Sequence, residues 1–248
     1  MKKFTKIVAT VSDQRCEVDF VRSLFEAGMN VARLNTAHLD FEGINKIVTN
    51  IREISDEIAI LVDTKGPEVR TTVADGDIEL KTGAELFLVG DPDGKTNAKR
   101  ICVSYPDIAE DVSVGSQILI DDGELALEVL SKENGSLKCR VMNNGVLGSR
   151  KSVNVPGVRI NLPSLTQRDK AFIGYAIENK IDFIAHSFVR NKEDVQEIQK
   201  ILDQHDSPVK IIAKIENQEG VENIDEILEN VYGVMVARGD LGIEIPQE

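Results

Sequence analysis

Cysteine is scarce: Cys16, Cys102 and Cys139 are the only three in 248 residues. They lie far apart, with no C-x-x-C pair and no histidine cluster, so neither a disulfide framework nor a zinc site is encoded. A reducing, cytoplasmic setting is expected. Positive charge is short as well, with 29 Lys and Arg against 42 Asp and Glu and a formal net charge of -13. That balance opposes a polyanion, because nucleic-acid affinity rests on neutralising phosphates, so no nucleic acid is expected as a partner. Local cations can still hold single phosphates. Apolar runs such as Ile118 to Ile120 and Phe183 to Ala185 fall well below the roughly 18 to 20 residues that span a bilayer, so no membrane is expected. Met1-Lys2-Lys3 leads directly into the alternating Lys6 to Val11, without the apolar stretch of a signal peptide, and no targeting signal is read. What remains, 42% hydrophobic and 29% charged residues, suits a globular chain with a real core.

Along the chain, short β-type runs alternate with amphipathic segments. Lys6 to Val11 reads as a strand, and Val18, Val21, Leu24 and Phe25 recur at helical spacing. Asn30 to Asn35 is a second strand, Ile44, Ile47, Val48 and Ile51 a second helix face, and Ile58 to Asp63 a third strand. This strand, helix, strand order implies parallel pairing. From Arg70 to Pro156 the pattern changes to brief apolar pairs between turn signals, among them Asp75-Gly76, Asp122-Gly123 and Asn134-Gly135. That grammar predicts a β-rich insertion, a small barrel or sandwich of its own. The alternation resumes at Thr166, where Thr166 and Asp169 form a capping-box pattern, and further strands are expected at Asp182 to Ser187, Lys210 to Ile215 and Gly233 to Ala237. The expected domains are therefore 1–69 and 157–248 for a discontinuous α/β part and 70–156 for the insertion.

Six βα-type strands fit either a doubly wound sheet or an eightfold barrel truncated after about six strands. A dinucleotide fold needs a glycine-rich turn after its first strand, and Val11 to Cys16 contains no glycine. A truncated (β/α)8 TIM barrel with an inserted all-β domain is the expectation.

In such a barrel, reactive groups collect where strands finish. The second strand ends Arg33-Leu34-Asn35, with a cation and an amide on one face by the two-residue period, and His38 follows. The third delivers Asp63-Thr64-Lys65-Gly66-Pro67-Glu68-Val69-Arg70; on charge alone this run is as readily a solvated loop. Lys214 and Glu216 share one face at the end of the fifth strand. They are either a structural ion pair or an interior lysine beside a metal-binding carboxylate. The sixth strand runs into Ala237-Arg238-Gly239-Asp240, where Asp240 caps a helix or, with Glu216, supplies two carboxylates for Mg²⁺. His38, His186 and His205 have no metal-site spacing, and the stretch containing Arg150 and Lys151 reads by itself as a charged hinge.

Taken in order, Lys6 to Thr10, Met29 to Asn35, Asp63 to Arg70, Val153 to Gly157, Ser187 to Arg190, Ile211 to Gly220 and Met235 to Pro246 resemble the pyruvate kinase family. The resemblance implies a cytoplasmic glycolytic enzyme that transfers the phosphoryl group of phosphoenolpyruvate to ADP, giving pyruvate and ATP. It makes the insertion a mobile cap over the nucleotide. It implies Lys214, Arg33 and Arg70 as catalytic groups, and Arg33, Lys214, Ala237, Arg238, Gly239 and Asp240 as substrate contacts. Asn35, His38, Arg70 and Lys151 become nucleotide contacts, Glu216 and Asp240 ligands of Mg²⁺, and Asn35, Asp63 and Thr64 ligands of K⁺.

The sequence departs from the family where a hydroxyl is expected two residues after Asn35 and Ala37 stands instead, which weakens K⁺ binding; Glu68 keeps the potassium-dependent type. Ser12-Asp13-Gln14 replaces a Gly-Pro turn, and Ser152 a glycine. The resemblance ends after the sixth strand, so a fragment with little turnover is expected, from a homotetrameric parent. Two alternatives share parts of this pattern: a Mg²⁺-dependent barrel lyase acting on pyruvate-like enolates, and a non-catalytic binding module.

Overall fold

A computed structural model describes residues 4–245. Its contacts divide the chain into two units, Met1–Pro67 with Ser164–Ile215 and Gly220–Val236 in the first, and Glu68–Pro163 with Glu216–Glu219 and Ala237–Glu248 in the second. In chain order the elements are β1 (Val8–Thr10), α1 (Val18–Glu26), β2 (Val31–Asn35), α2 (Phe41–Ile54) and β3 (Ala59–Asp63). The middle of the chain holds β4 (Val69–Arg70), β5 (Ile78–Leu80), β6 (Glu85–Gly90), β7 (Arg100–Val103), α3 (Ile108–Asp111), β8 (Gln117–Ile120), β9 (Leu125–Glu133), β10 (Ser136–Val141), β11 (Gly145–Leu147) and β12 (Ser152–Asn154). The last part holds α4 (Gln167–Glu178), β13 (Phe183–His186), α5 (Lys192–Gln204), β14 (Lys210–Ile215), α6 (Gln218–Glu222), α7 (Ile224–Leu228), β15 (Gly233–Val236) and α8 (Arg238–Glu244).

In the first unit six strands form one sheet in the order β1-β2-β3-β13-β14-β15, every pair parallel. Spatial order follows chain order throughout. That is the arrangement of successive βα units in a barrel; a doubly wound sheet reverses at a switch point. The partial barrel expected from the sequence is therefore present. The helices form where local signals place them. Asp40 caps α2 by accepting from the Gly43 amide at 2.8 Å, Asn191 caps α5 through the Asp194 amide, and Thr166 and Asp169 complete the reciprocal capping box of α4. α2 buries Ile44, Ile47, Val48 and Ile51 at three- and four-residue spacing, and they join Ile58, Ile60, Val62, Phe172, Ile184 and Ile198 in one core. β3 is buried continuously from Ile60 to Asp63, as a central parallel strand covered on both faces must be. Truncating one of these isoleucines to alanine costs about 2 to 5 kcal/mol.

The second unit has a seven-stranded sheet in the order β4-β12-β8-β9-β10-β6-β7 and a two-stranded pair β11-β5. β9 alternates strictly, with Leu125, Leu127 and Val129 inward, and β10 matches it with Leu137, Cys139 and Val141. The two strands are joined at Asn134-Gly135, both with positive φ (48° and 74°), the two-residue hairpin turn that this dipeptide favours. Burial pushes the Cys139 thiol up to about 12. Cys16, Cys102 and Cys139 are all buried and unbridged, so they act as small apolar side chains.

Candidate functional site

In the first unit, the carboxyl ends of β2, β3, β13 and β14 lie side by side through the parallel pairing. Asn35 is in register with Asp63, and Asp63 with Ala185. This brings Arg33, Asp63, Ser187 and Lys214 into one cluster, with Thr10 of β1 at its edge. Arg33 Nε donates to Asp63 Oδ2 at 2.6 Å, and Arg33 Nη1 donates to Thr10 Oγ1 at 2.8 Å. Lys214 Nζ lies 3.3 Å from the other Asp63 oxygen, Oδ1, and donates to Ser187 Oγ at 2.8 Å. One carboxylate, 1% exposed, thus faces two cations, each on its own oxygen. Two cations gathered on one carboxylate concentrate positive charge at these strand ends, which suits an anionic ligand.

The loop after β3 is held from below. Asp169 Oδ1 accepts from the amides of Lys65 at 3.1 Å and Gly66 at 3.3 Å, while its Oδ2 accepts from the Thr166 amide at 3.0 Å. The sequence marks Asp169 only as half of a capping box; its second role depends on a segment more than a hundred residues earlier. Thr64 Oγ1 donates to the Ala185 carbonyl at 3.2 Å and accepts from the Ser187 amide at 3.0 Å. Gly66 has φ +71°, and a Cβ there would meet Ser187 Cβ at 2.8 Å, so only glycine fits. Ser187 itself escapes a search for charged strand ends. Its signal is positional, since it follows the buried run of β13 as Asp63 ends β3.

Of the K⁺ candidates, Asn35 uses Oδ1 to accept from the Ala37 amide at 3.1 Å, and Asp63 and Thr64 are buried in the cluster just described. Their oxygens are the donor type a hard cation takes. Thr36, beside the exposed Ala37, turns its hydroxyl to the Asp63 carbonyl at 2.9 Å in the interior. His38 is exposed in the loop before α2. His186 is buried, and burial pushes its imidazole down to about 4 against the pull of Asp194, Asp169 and Glu197.

In the second unit, β12 pairs with β4, placing Ser152 opposite Arg70, and the Thr71 amide donates to the Lys151 carbonyl at 2.8 Å. Arg70 and Lys151 are thereby brought together. Arg70 binds Glu68 in a two-pronged pair at 2.7 and 2.8 Å, which raises its pKa, and donates through Nη1 to the Arg150 carbonyl at 2.7 Å. Lys151 Nζ pairs with Asp121 at 2.7 Å, and that hydrogen bond raises its pKa. Ala237 stands at the start of α8 without a side-chain cap, Arg238 begins the helix, and Asp240 lies exposed in its first turn. Asp240 is therefore not the cap, which leaves its carboxylate available. Glu216 is buried. Two carboxylates are a donor set for a hard divalent cation that keeps water and substrate oxygens as further ligands, although among the described residues no three His, Cys, Asp or Glu side chains gather into a metal cluster. Near Asp240, burial raises the pKa of Glu244, which accepts from Asn154 at 2.9 Å. Among the described residues no helix is long and apolar enough to cross a membrane.

The family model for the pyruvate kinase barrel domain matches residues 2–248. Pyruvate kinase of Borreliella burgdorferi is 48% identical over 249 residues, covering 100% of this chain and 52% of that protein. Pyruvate kinase of Geobacillus stearothermophilus is 51% identical over 261 residues, covering 100% of this chain and 43% of the relative. A crystal structure of a pyruvate kinase from Cryptosporidium parvum superimposes with a TM-score of 0.93 at 40% identity, over 98% of this chain and 52% of that one. The chain thus spans about half the length of the relatives it matches. With identity this high over its whole length, and with its six parallel strands in barrel order, the chain belongs to the pyruvate kinase family.

Proposed function

We propose that the chain carries the phosphoryl-transfer half-site of a cytoplasmic, glycolytic pyruvate kinase, which moves the phosphoryl group of phosphoenolpyruvate to ADP. The observation that carries this reading is the pairing of Arg33 and Lys214 with one and the same buried carboxylate, Asp63. Phosphoryl transfer through a loose transition state asks for positioned positive charge more than for a covalent nucleophile. Arg33 and Lys214 supply that charge to the transferring group. As the bond from phosphorus to the enol oxygen breaks and a terminal oxygen of ADP takes the phosphoryl, Lys214 faces the enolate left behind until it is protonated to pyruvate.

The backbone of Ala237, Arg238 and Gly239 offers first-turn amides to the substrate carboxylate. Glu216 and Asp240 would hold Mg²⁺, and Asn35, Asp63 and Thr64 would hold K⁺, with Ala37 leaving the K⁺ site one hydroxyl short. A bound divalent cation supplies charge neutralisation at the substrate oxygens. Residues 70–156 act as a cap over the nucleotide, where Arg70 and Lys151 contact its phosphates and Asn35 and His38 complete the set. Arg70 and Lys151, brought to neighbouring backbone positions by the β4–β12 pairing, favour this reading over a barrel lyase, which has no use for a nucleotide cap.

Titrating phosphoenolpyruvate into the purified chain with Mg²⁺ and K⁺ by calorimetry, beside Glu216→Ala and a coupled assay for pyruvate, tests the reading. Binding that Glu216→Ala abolishes supports it. Wild-type binding that Glu216→Ala leaves intact removes the assigned metal site.

A further inference from the structure

We propose that Ser187 is the positioning residue for Lys214. The proposal rests on the phosphotransferase reading for its purpose, but on proton bookkeeping for its geometry. A serine hydroxyl has one hydrogen and two lone pairs. Ser187 Oγ lies 2.6 Å from the Thr64 carbonyl, 2.8 Å from Lys214 Nζ and 3.4 Å from Asp63 Oδ1. A carbonyl only accepts, and an ammonium only donates. The hydrogen therefore goes to Thr64, the lone pair goes to Lys214, and none is left for Asp63. Ser187 links the backbone just past β3 to the ammonium.

That fixture is rigid at every joint. Ser187 is 1% exposed, and its amide is tied to Thr64 Oγ1 at 3.0 Å. Gly66 packs so closely on its Cβ that no side chain fits between them, and Asp169 holds the Gly66 amide in place. Lysine carries a flexible four-carbon stem, and its ammonium is a point charge without the planar fork of arginine. Asp63 attracts that charge, but its Oδ1 contact is 3.3 Å and its Oδ2 is engaged by Arg33, so the 2.8 Å bond to Ser187 is the shorter and better defined of the two. A short bond to an immobile oxygen converts attraction into direction, and catalysis by a placed charge depends on direction.

The test uses the 248-residue chain with Ser187→Ala and with Ser187→Cys, whose thiol is somewhat larger than the hydroxyl and accepts poorly. At one fixed pH, the ¹⁵N ammonium resonance of Lys214, assigned by its absence in Lys214→Arg, reports how ordered the group is. The expected result is an ordered, slowly exchanging Lys214 signal in the wild type that both variants lose. Where pyruvate is formed, kcat falls roughly 10- to 100-fold while KM for phosphoenolpyruvate moves little. A signal that persists in both variants overturns the proposal, as does a wild-type Lys214 that is mobile, or a loss confined to KM. A wild type that neither binds phosphoenolpyruvate nor makes pyruvate counts against the phosphotransferase reading alone, since the ammonium signal still decides the role of Ser187.

Discussion

Arg33 and Asp63 meet across the neighbouring strands β2 and β3, with Arg33 Nε 2.6 Å from Asp63 Oδ2. Because Lys214 uses the opposite oxygen of the same carboxylate, Asp63 is the common partner of both cations assigned to the transferring phosphoryl. Removing a carboxylate from such a site leaves like charges facing each other in a poorly solvated corner.

Asp63→Ala is therefore expected to cost about 3 kcal/mol of unfolding free energy, at the low end for a broken buried pair because Arg33 is 28% exposed. Urea denaturation measures it. If Arg33→Met added to Asp63→Ala recovers none of the loss, charge repulsion is not its cause.

Gly66→Ala combines a left-handed backbone angle with a Cβ placed 2.8 Å from that of Ser187 and 2.9 Å from Phe188 Cδ2. The expected destabilisation is about 2 kcal/mol, read as a lower denaturation midpoint. A neutral result would mean that the loop after β3 is free to shift, and Thr64 with it.

His186 titrates at about 4 in the folded chain against 6.5 for the free side chain. The unfolded chain then binds the extra proton first, so the contribution of neutral His186 is whole above about pH 6.5 and is lost as the pH falls towards about 4. Its size is on the order of 3 kcal/mol. Measured by unfolding curves, the stability of the wild type relative to His186→Leu should fall by about that amount as the pH drops across this window. Parallel curves would place the proton uptake elsewhere.

Lys151→Ala removes the ammonium that Asp121 holds at 2.7 Å. ADP affinity should fall about tenfold, the worth of one charge-assisted hydrogen bond to phosphate, while the unfolding midpoint stays within experimental scatter because the ion pair is only half-buried. Calorimetric titration of ADP in the presence of Mg²⁺ gives the comparison. Unchanged affinity would remove Lys151 from the nucleotide contacts.

Much of the fold is written locally. The helix face of α2, the Thr166 to Asp169 capping box and the Asn134-Gly135 hairpin all depend on residues within a turn or two of one another, and each forms where its pattern stands. Arg33, Asp63 and Lys214 stand out in the sequence for a similar reason, because a charge that follows a buried apolar run needs a partner or a task. The identity of each partner depended on strand register. Arg33 reaches Asp63 across 30 residues, and Ser187 reaches Thr64 across 123; both contacts exist only because β2, β3 and β13 pair in parallel with these residues at adjoining ends. The sequence by itself determined the elements and the chemistry available at their ends, through periodicity, capping and turn residues. Tertiary structure alone decided that one carboxylate serves two cations, that Asp169 holds a distant loop, and that a serine without charge directs the lysine, since each depends on long-range pairing that local pattern does not encode.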